Sequence, residues 1–313
     1  MARPVTIAAL QPARPVFREG DDPAAVRAAT LQTGARLIEE AGRRGATVAC
    51  LPECFPTAAL PGDEAARLAE GEDLPLVAAL SPVAVRYGMT LVVGAHRRAR
   101  DGRLYNAAFV IEENRVVGIY DKVHPTRVEQ KPPLNVTPGS GFPVFHPSWG
   151  TAGVLICHDN SFVESARCLA LGGAEILFWP HVQSGWGDVA WEAVLRARAI
   201  DNGVYLVSSC FSVAEGRAWR PGMMLGRSSI VAPDGTILAD AGHHPGMALT
   251  MVDLDQPRLA HSFTREGDHP FRTEMLGDRR PGTYGIIVAP QTASTEHVVS
   301  GEPLLQAAHA WAT

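Results

Sequence analysis

Short apolar runs alternate with longer amphipathic ones, the same order returns after residue 150, and apolar residues make up 46% of the 313-residue chain. These observations predict an α/β fold of two halves, each a βαβα unit followed by a hairpin. Two such halves bury their apolar surface when their sheets face each other and the helices lie outside. The expectation is one domain over residues 1–290 and a C-terminal tail over 291–313.

The elements follow in order. Residues 5–10 read as a first strand, since the apolar run is too short for a signal segment. Residues 23–44 are long, Ala-rich and amphipathic, with Leu31, Leu37 and Ile38 on one side, and predict a helix. A strand over 47–51 and a helix over 74–87 come next, with Pro75 suited to the first turn. Residues 90–94, 105–111 and 116–120 read as strands. The Pro- and Gly-rich stretch 122–150 is a long irregular segment, and loops of that length inside a compact chain are usually functional. The second half predicts strands at 152–156, 176–179 and 204–208, helices at 162–172 and 189–202, and closing strands at 227–232, 236–238 and 248–252. Pro233-Asp234-Gly235 marks a turn, and residues 303–311 form a short apolar, helix-like piece in the tail.

The net charge of −5 carries no basic footprint for nucleic acid, and no apolar stretch reaches the length of a membrane span. Five cysteines, with no C-x-x-C, H-E-x-x-H or Gly-rich phosphate loop, point to a reducing cytoplasm and to neither a disulfide framework nor a metal site.

The stretch Gly153-Val154-Leu155-Ile156-Cys157-His158-Asp159 ends an apolar run at a cysteine and passes into a polar turn. Such a turn lifts a nucleophile clear of a sheet, although a buried, inert cysteine at a strand end has the same local pattern. Ser161 and Glu164 fit an S-x-x-E capping box, so the next helix is expected to start near Phe162 with its N-terminal field favouring a thiolate. Two other strand tips carry chemistry. Leu51-Pro52-Glu53 ends one, and Tyr120-Asp121-Lys122 ends another. Convergence of the three tips would assemble a base, an ammonium and a thiol. His158 and Asp159 suggest a Cys-His-Asp triad, but triads are assembled from distant segments, so His158 is expected to line the pocket or to act through its backbone N–H.

The ordered set Leu51-Pro52-Glu53, Tyr120-x-Lys122-x-His124 and Gly153-x-x-x-Cys157-x-Asp159 resembles the three signature sites of the nitrilase (carbon–nitrogen hydrolase) superfamily. Leu104-Tyr105-Asn106, Trp179-Pro180, Arg196-Ala197-Arg198 and Gly226-Arg227-Ser228-Ser229 are similar to its supporting patterns. The resemblance runs over residues 4–255. It implies a four-layer αββα sandwich that pairs through helices into an αββααββα dimer or higher homo-oligomer. It assigns the base to Glu53, the lysine to Lys122, the nucleophile to Cys157 and a second glutamate to Glu129. It implies no cofactor.

Cys157-His158-Asp159 departs from the Cys-Trp-Glu of nitrilases proper and is nearer the amidase-like and carbamoylase-like branches. The arginine pair that holds a carboxylate in D-amino-acid carbamoylases is replaced by Asn160 and Ser161. The expectation is a thiol hydrolase of linear amides with an uncharged acyl group. A nitrilase, an N-carbamoyl hydrolase and a silent binding scaffold are the alternatives. Substrate-lining residues are expected among Phe55, His158, His181 and Trp186, with Trp149 and Trp191 as further aromatic candidates.

Overall fold

The computed structural model of the protein describes residues 2–182, 188–220, 223, 226–255, 259–261 and 268–289. The first half contains β1 (Pro4–Gln11), α1 (Pro23–Arg43), β2 (Val48–Leu51), α2 (Gly62–Arg67), α3 (Pro75–Arg86), β3 (Thr90–Arg98), β4 (Leu104–Glu112) and β5 (Arg115–Asp121). The second contains β6 (Val144–Phe145), β7 (Ala152–Val154), α4 (Val163–Leu171), β8 (Ile176–Pro180), α5 (Asp188–Asn202), β9 (Tyr205–Ser209), β10 (Ser229–Val231), β11 (Ile237–Asp240) and β12 (Gly246–Asp253). A small hairpin, β13 (Leu259–His261) with β14 (Asp268–Pro270), and α6 (Phe271–Gly277) complete a compact unit that runs to Gly277. A separate unit begins at Asp278 and holds a 3₁₀ turn, Pro281–Thr283, and α7 (Gly285–Val288). The helix-like piece at 303–311 lies outside the described residues.

Two six-stranded sheets form, in the orders β12-β1-β2-β3-β4-β5 and β11-β10-β9-β8-β7-β6. Each has a parallel trio, β1-β2-β3 or β7-β8-β9, flanked by antiparallel strands. Strands buried on both faces read as continuous apolar runs, which is why β2, β8 and β9 show no alternation. One layer of core lies between the sheets and contains Ile7, Cys50, Val92, Val110 and Tyr120 from the first and Val154, Ile156, Phe178 and Val207 from the second. A second layer packs Leu31 and Ile38 of α1 and Leu76 and Leu80 of α3 on the outside of the first sheet. A third packs Leu169 of α4 and Trp191 and Leu195 of α5 on the outside of the second. The order α-β-β-α is the predicted sandwich.

Four local features differ from expectation. β12 does not stay with its own half; it crosses to pair antiparallel with β1, with Ala9 opposite Ala248. α2 and the short β6 were not legible. The strand leading to Cys157 ends early, at Val154, and residues Cys157–Ser161 form a 3₁₀ turn. The Ser161–Glu164 capping box is not made. Phe162 occupies the N-cap of α4 without a side-chain bond, and Ser161 Oγ pairs instead with His158 Nδ1 at 3.2 Å. By contrast α1 starts as its sequence dictates, with Asp22 accepting the Ala24 N–H and proline in the first turn.

Candidate active site

Three chain crossings bring the site together. β2 ends at Leu51 and delivers Glu53, β5 ends at Asp121 and delivers Lys122, and the 3₁₀ turn after β7 opens at Cys157. Glu53 and Lys122 are both buried. Lys122 Nζ donates to Glu53 Oε1 at 2.7 Å and to Glu129 Oε2 at 2.9 Å. Asn106 Nδ2, from β4, donates to Oε1 of both glutamates at 2.7 Å. The remaining oxygen of Glu53 accepts the Val182 N–H at 2.9 Å, just past the end of β8, so Glu53 is tied to both sheets. Glu129 Oε2 accepts the Thr126 N–H at 2.7 Å.

The Cys157 thiol lies within the field of the Glu53 carboxylate. Burial, and then the charge of Glu53, push this thiol well above its usual range, with Lys122 acting against them. The proton therefore rests on sulfur, contrary to the thiolate expected from the helix field. Burial alone would lower Lys122, but Glu53, Cys157 and Glu129 override it and hold the ammonium charged. Burial likewise opposes the charge on Glu129, and Lys122, Asn106 and the Thr126 N–H more than offset it, leaving its carboxyl below the usual value.

The backbone at Cys157 is left-handed, with φ +45°. A non-glycine residue there stores strain of about 1–3 kcal/mol, held by its surroundings. The holder is Asp159, which is fully buried and whose carboxylate accepts four bonds. Tyr120 Oη and the Ile156 N–H reach Oδ2 at 2.6 and 2.9 Å; the His124 N–H and Nδ1–H reach Oδ1, each at 2.9 Å. The imidazole on Asp159 is therefore that of His124 and not that of its neighbour His158. Trp179 Nε1 donates to the Cys157 carbonyl at 2.9 Å, and Arg198 from α5 donates to the Asn160 carbonyl at 3.0 and 3.2 Å.

The nominated lining residues separate. His158 is half-buried beside Cys157; burial, then Lys122 and His124, lower its pKa. His181 is fully enclosed behind the site, stacked on Trp179 at 4.1 Å and paired with Ser208 Oγ at 2.8 Å. Burial lowers it to about 3, so it is neutral. Phe55 is not brought to Cys157. It is fully buried in the layer under α1 and stacks on Phe211 at 6.0 Å, because Gly34 of α1 leaves room for its ring. Trp149 belongs to the core between the sheets and Trp191 to the layer under α5. Trp186 lies outside the described residues. Among the described residues no group of three His, Cys, Asp or Glu side chains could hold a metal ion, and no helix is long and apolar enough to cross a membrane.

Sequence reasoning quotes Asn106 and Asp159 as motif positions but gives neither the contacts described above, and it does not nominate the Val182 N–H. Asn106 did leave a signal: it is the lone amide in an otherwise apolar run from Leu104 to Ile111, and a polar group in a doubly buried strand needs partners.

The chain is similar to known proteins along most of its length. It is 31% identical over 239 residues to omega-amidase NIT2-A of Xenopus laevis, covering 73% of this chain and 84% of that protein. It is 34% identical over 272 residues to the deaminated glutathione amidase of Rattus norvegicus, covering 82% and 79%. The crystal structure of a carbon-nitrogen hydrolase from Helicobacter pylori G27 superposes with a TM-score of 0.73 at 25% identity, over 91% of this chain and 99% of that one. The family model for carbon-nitrogen hydrolases matches residues 6–261, and with the sandwich and the converging strand tips this identifies the chain as a member of the carbon–nitrogen hydrolase family, enzymes acting on C–N bonds other than peptide bonds.

Proposed function

We propose that this protein hydrolyses a linear carboxamide to a carboxylic acid and ammonia, with Cys157 as nucleophile, Glu53 as general base and acid, and Lys122 as electrophile. The observation that carries the reading is the buried Glu53 carboxylate, held by Lys122 Nζ at 2.7 Å, whose charge acts on the Cys157 thiol. Glu53 takes the thiol proton as sulfur attacks the carbonyl carbon. The charge that develops on the carbonyl oxygen meets the Lys122 ammonium and the His158 N–H. Preorganised donors of this kind are worth about 3–4 kcal/mol each in a dry site. Glu53 returns its proton to the departing nitrogen, and ammonia leaves a thioester. Water then loses a proton to Glu53 and attacks the thioester, and the carboxylic acid and the thiol are released. Glu129 holds Lys122 and bounds the space where substrate and water sit.

An uncharged acyl group fits this reading. Asn160 is fully buried and Ser161 is engaged with His158, so neither replaces an arginine pair for a substrate carboxylate. The amide activity in the relatives' names favours the same bond. A homodimer through the outer helices belongs to the proposal as well: Val163 and Leu171 of α4 and Val189 and Ile200 of α5 are exposed apolar residues.

The test is ammonia release from a short neutral carboxamide, its matching nitrile and an N-carbamoyl amino acid, side by side. The carboxamide is expected to give the highest kcat/KM, and Cys157→Ala to abolish turnover while Cys168→Ser and Cys210→Ser retain it. A preference for the nitrile would replace the substrate assignment, and turnover in Cys157→Ala would sink the mechanism.

A further inference from the structure

Asn106 stands where β4 passes beneath the three charged groups. Its carbonyl oxygen accepts the Lys122 N–H at 2.8 Å, which fixes the backbone of the lysine. Its side-chain nitrogen has two protons and spends both on carboxylates, Glu53 Oε1 and Glu129 Oε1, each at 2.7 Å. The same two oxygens accept from Lys122 Nζ, at 2.7 and 3.1 Å. Two anions are thus bridged twice, once by a cation and once by a neutral amide. The amide cannot turn over, since its oxygen would then face two carboxylates. The oxygen Oδ1 is buried and has no hydrogen-bond partner.

One ammonium between two carboxylates is an unstable division. Either glutamate could take Lys122 as a close pair and release the other. The amide removes that choice by offering each glutamate one proton at a fixed separation, set by the geometry of a single NH₂ group. We infer that Asn106 is a positioning residue, the neutral clamp that keeps Glu53 aimed at Cys157 while Glu129 shares Lys122. This inference rests on the proposed roles of Cys157 and Glu53.

The charged and titratable groups facing the clamp are Glu53, Lys122 and Glu129, with His96 on β3 directly across the ladder and Cys54 and Cys157 beside Glu53. His96 is buried and neutral, paired with Thr57 Oγ1 at 2.9 Å, so it supplies no charge in place of the amide. A donor to a carboxylate favours its ionised form, and a third carboxylate disfavours it. The Asn106 bond is one of the contacts that hold Glu129 below the usual carboxylate range, so loss of the amide moves the acid limb of the Cys157 rate to higher pH, and Asn106→Asp moves it further than Asn106→Ala.

The experiment follows alkylation of Cys157 by iodoacetamide, resolved by peptide mass spectrometry, from pH 5 to 9, in wild type, Asn106→Ala, Asn106→Asp and Asn106→Ser. Alkylation needs no amide substrate. The expected result is a loss of about 100-fold in the Cys157 rate for Ala and Asp, the scale of a misplaced reacting group. The acid limb moves up in the order Ser, Ala, Asp. Serine, which keeps one proton to donate, falls between Ala and wild type. Carboxamide kcat is expected to fall in the same order, with KM little changed. An Asp variant with the wild-type rate and profile would overturn the inference, since the shape of the side chain would then suffice. Loss of the folded state in all three variants, read by thermal melting, would also overturn it and make Asn106 a residue of the fold. Wild-type protein whose Cys157 reacts no faster than the exposed Cys168 would instead sink the proposed mechanism. Selective, Asn106-dependent alkylation without amide turnover would sink only the substrate.

Discussion

Gly94 on β3 lies directly against the backbone of Glu53: a Cβ at Gly94 would sit 2.6 Å from Glu53 Cα, and 2.6 Å from the Pro52 carbonyl oxygen. These are backbone atoms, so no side-chain rotation relieves the collision. The loop that presents Glu53 crosses its neighbouring strand at a distance only glycine allows. Gly139 plays the same part for Lys122. Its N–H donates to the Lys122 carbonyl at 2.8 Å, and a Cβ there would meet the Asp121 carbonyl oxygen at 2.0 Å.

Gly94→Ala should therefore move Glu53. We expect a stability loss of about 1–3 kcal/mol from overpacking and, separately, a fall in kcat of about 100-fold from misplacement. The comparison is Gly42→Ala on α1, where the added methyl meets the Tyr87 ring far from the site. That variant should show a stability change with kcat intact. Equal kcat in the two variants would mean that the Gly94 contact does not aim Glu53.

Asp159 offers a second test, because one carboxylate ties the Cys157 turn to the strand end that bears Lys122. Asp159→Asn keeps the shape but turns one acceptor into a donor facing N–H or O–H groups. Losing charge-assisted bonds of this kind costs about 1.5–3 kcal/mol each. Urea denaturation should show a loss of at least that size, and kcat should fall as the left-handed Cys157 relaxes. Tyr120→Phe removes one of the four bonds and should cost less on both measures. A stable, fully active Asp159→Asn would show that the turn holds itself.

Much of this arrangement was legible from residues alone. Glu53, Lys122 and Cys157 each follow an apolar run at the point where it breaks, and strand ends are where a sheet presents side chains. The paired halves were legible from element order. The partner of β12 was not, since its residues 248–252 read as an ordinary strand and only the vacant edge beside β1 decides where it pairs. The left-handed turn at Cys157 was also hidden, because no glycine marks it; four bonds to Asp159 impose it. Phe55, expected among the pocket aromatics, lies elsewhere: the intervening Cys54 is left-handed, with φ +48°, and the ring packs on the opposite side of the sheet.

The two glutamates should separate in kinetics. Glu53→Gln leaves the Cys157 thiol without an acceptor for its proton, and both turnover and Cys157 alkylation should fall by about 1,000-fold or more. Glu129→Gln keeps Glu53 on Cys157 but frees half of the hold on Lys122. Turnover should drop less, with alkylation largely kept. Lys122→Ala strips both carboxylates of their cation and the oxyanion of a donor, so kcat should fall by about 100-fold or more. Similar alkylation rates in Glu53→Gln and Glu129→Gln would contradict the division of labour.

Acid stability is set in part by two buried histidines. Burial lowers His96 to about 4 and His181 to about 3, against about 6.5 for the unfolded chain. Below pH 6.5 the unfolded state binds protons that the folded state refuses, so stability falls as pH falls. The loss continues down to about pH 4 for His96 and about pH 3 for His181. At pH 5 each histidine has cost about 2 kcal/mol relative to neutral pH, from roughly 1.5 pH units at 1.36 kcal/mol each. Urea denaturation at pH 7 and pH 5 should show this loss, and His96→Gln should remove about half of it. Glutamine keeps a donor toward Thr57 but has no proton to gain. A midpoint that does not move between the two pH values would show that neither histidine is held neutral by the fold.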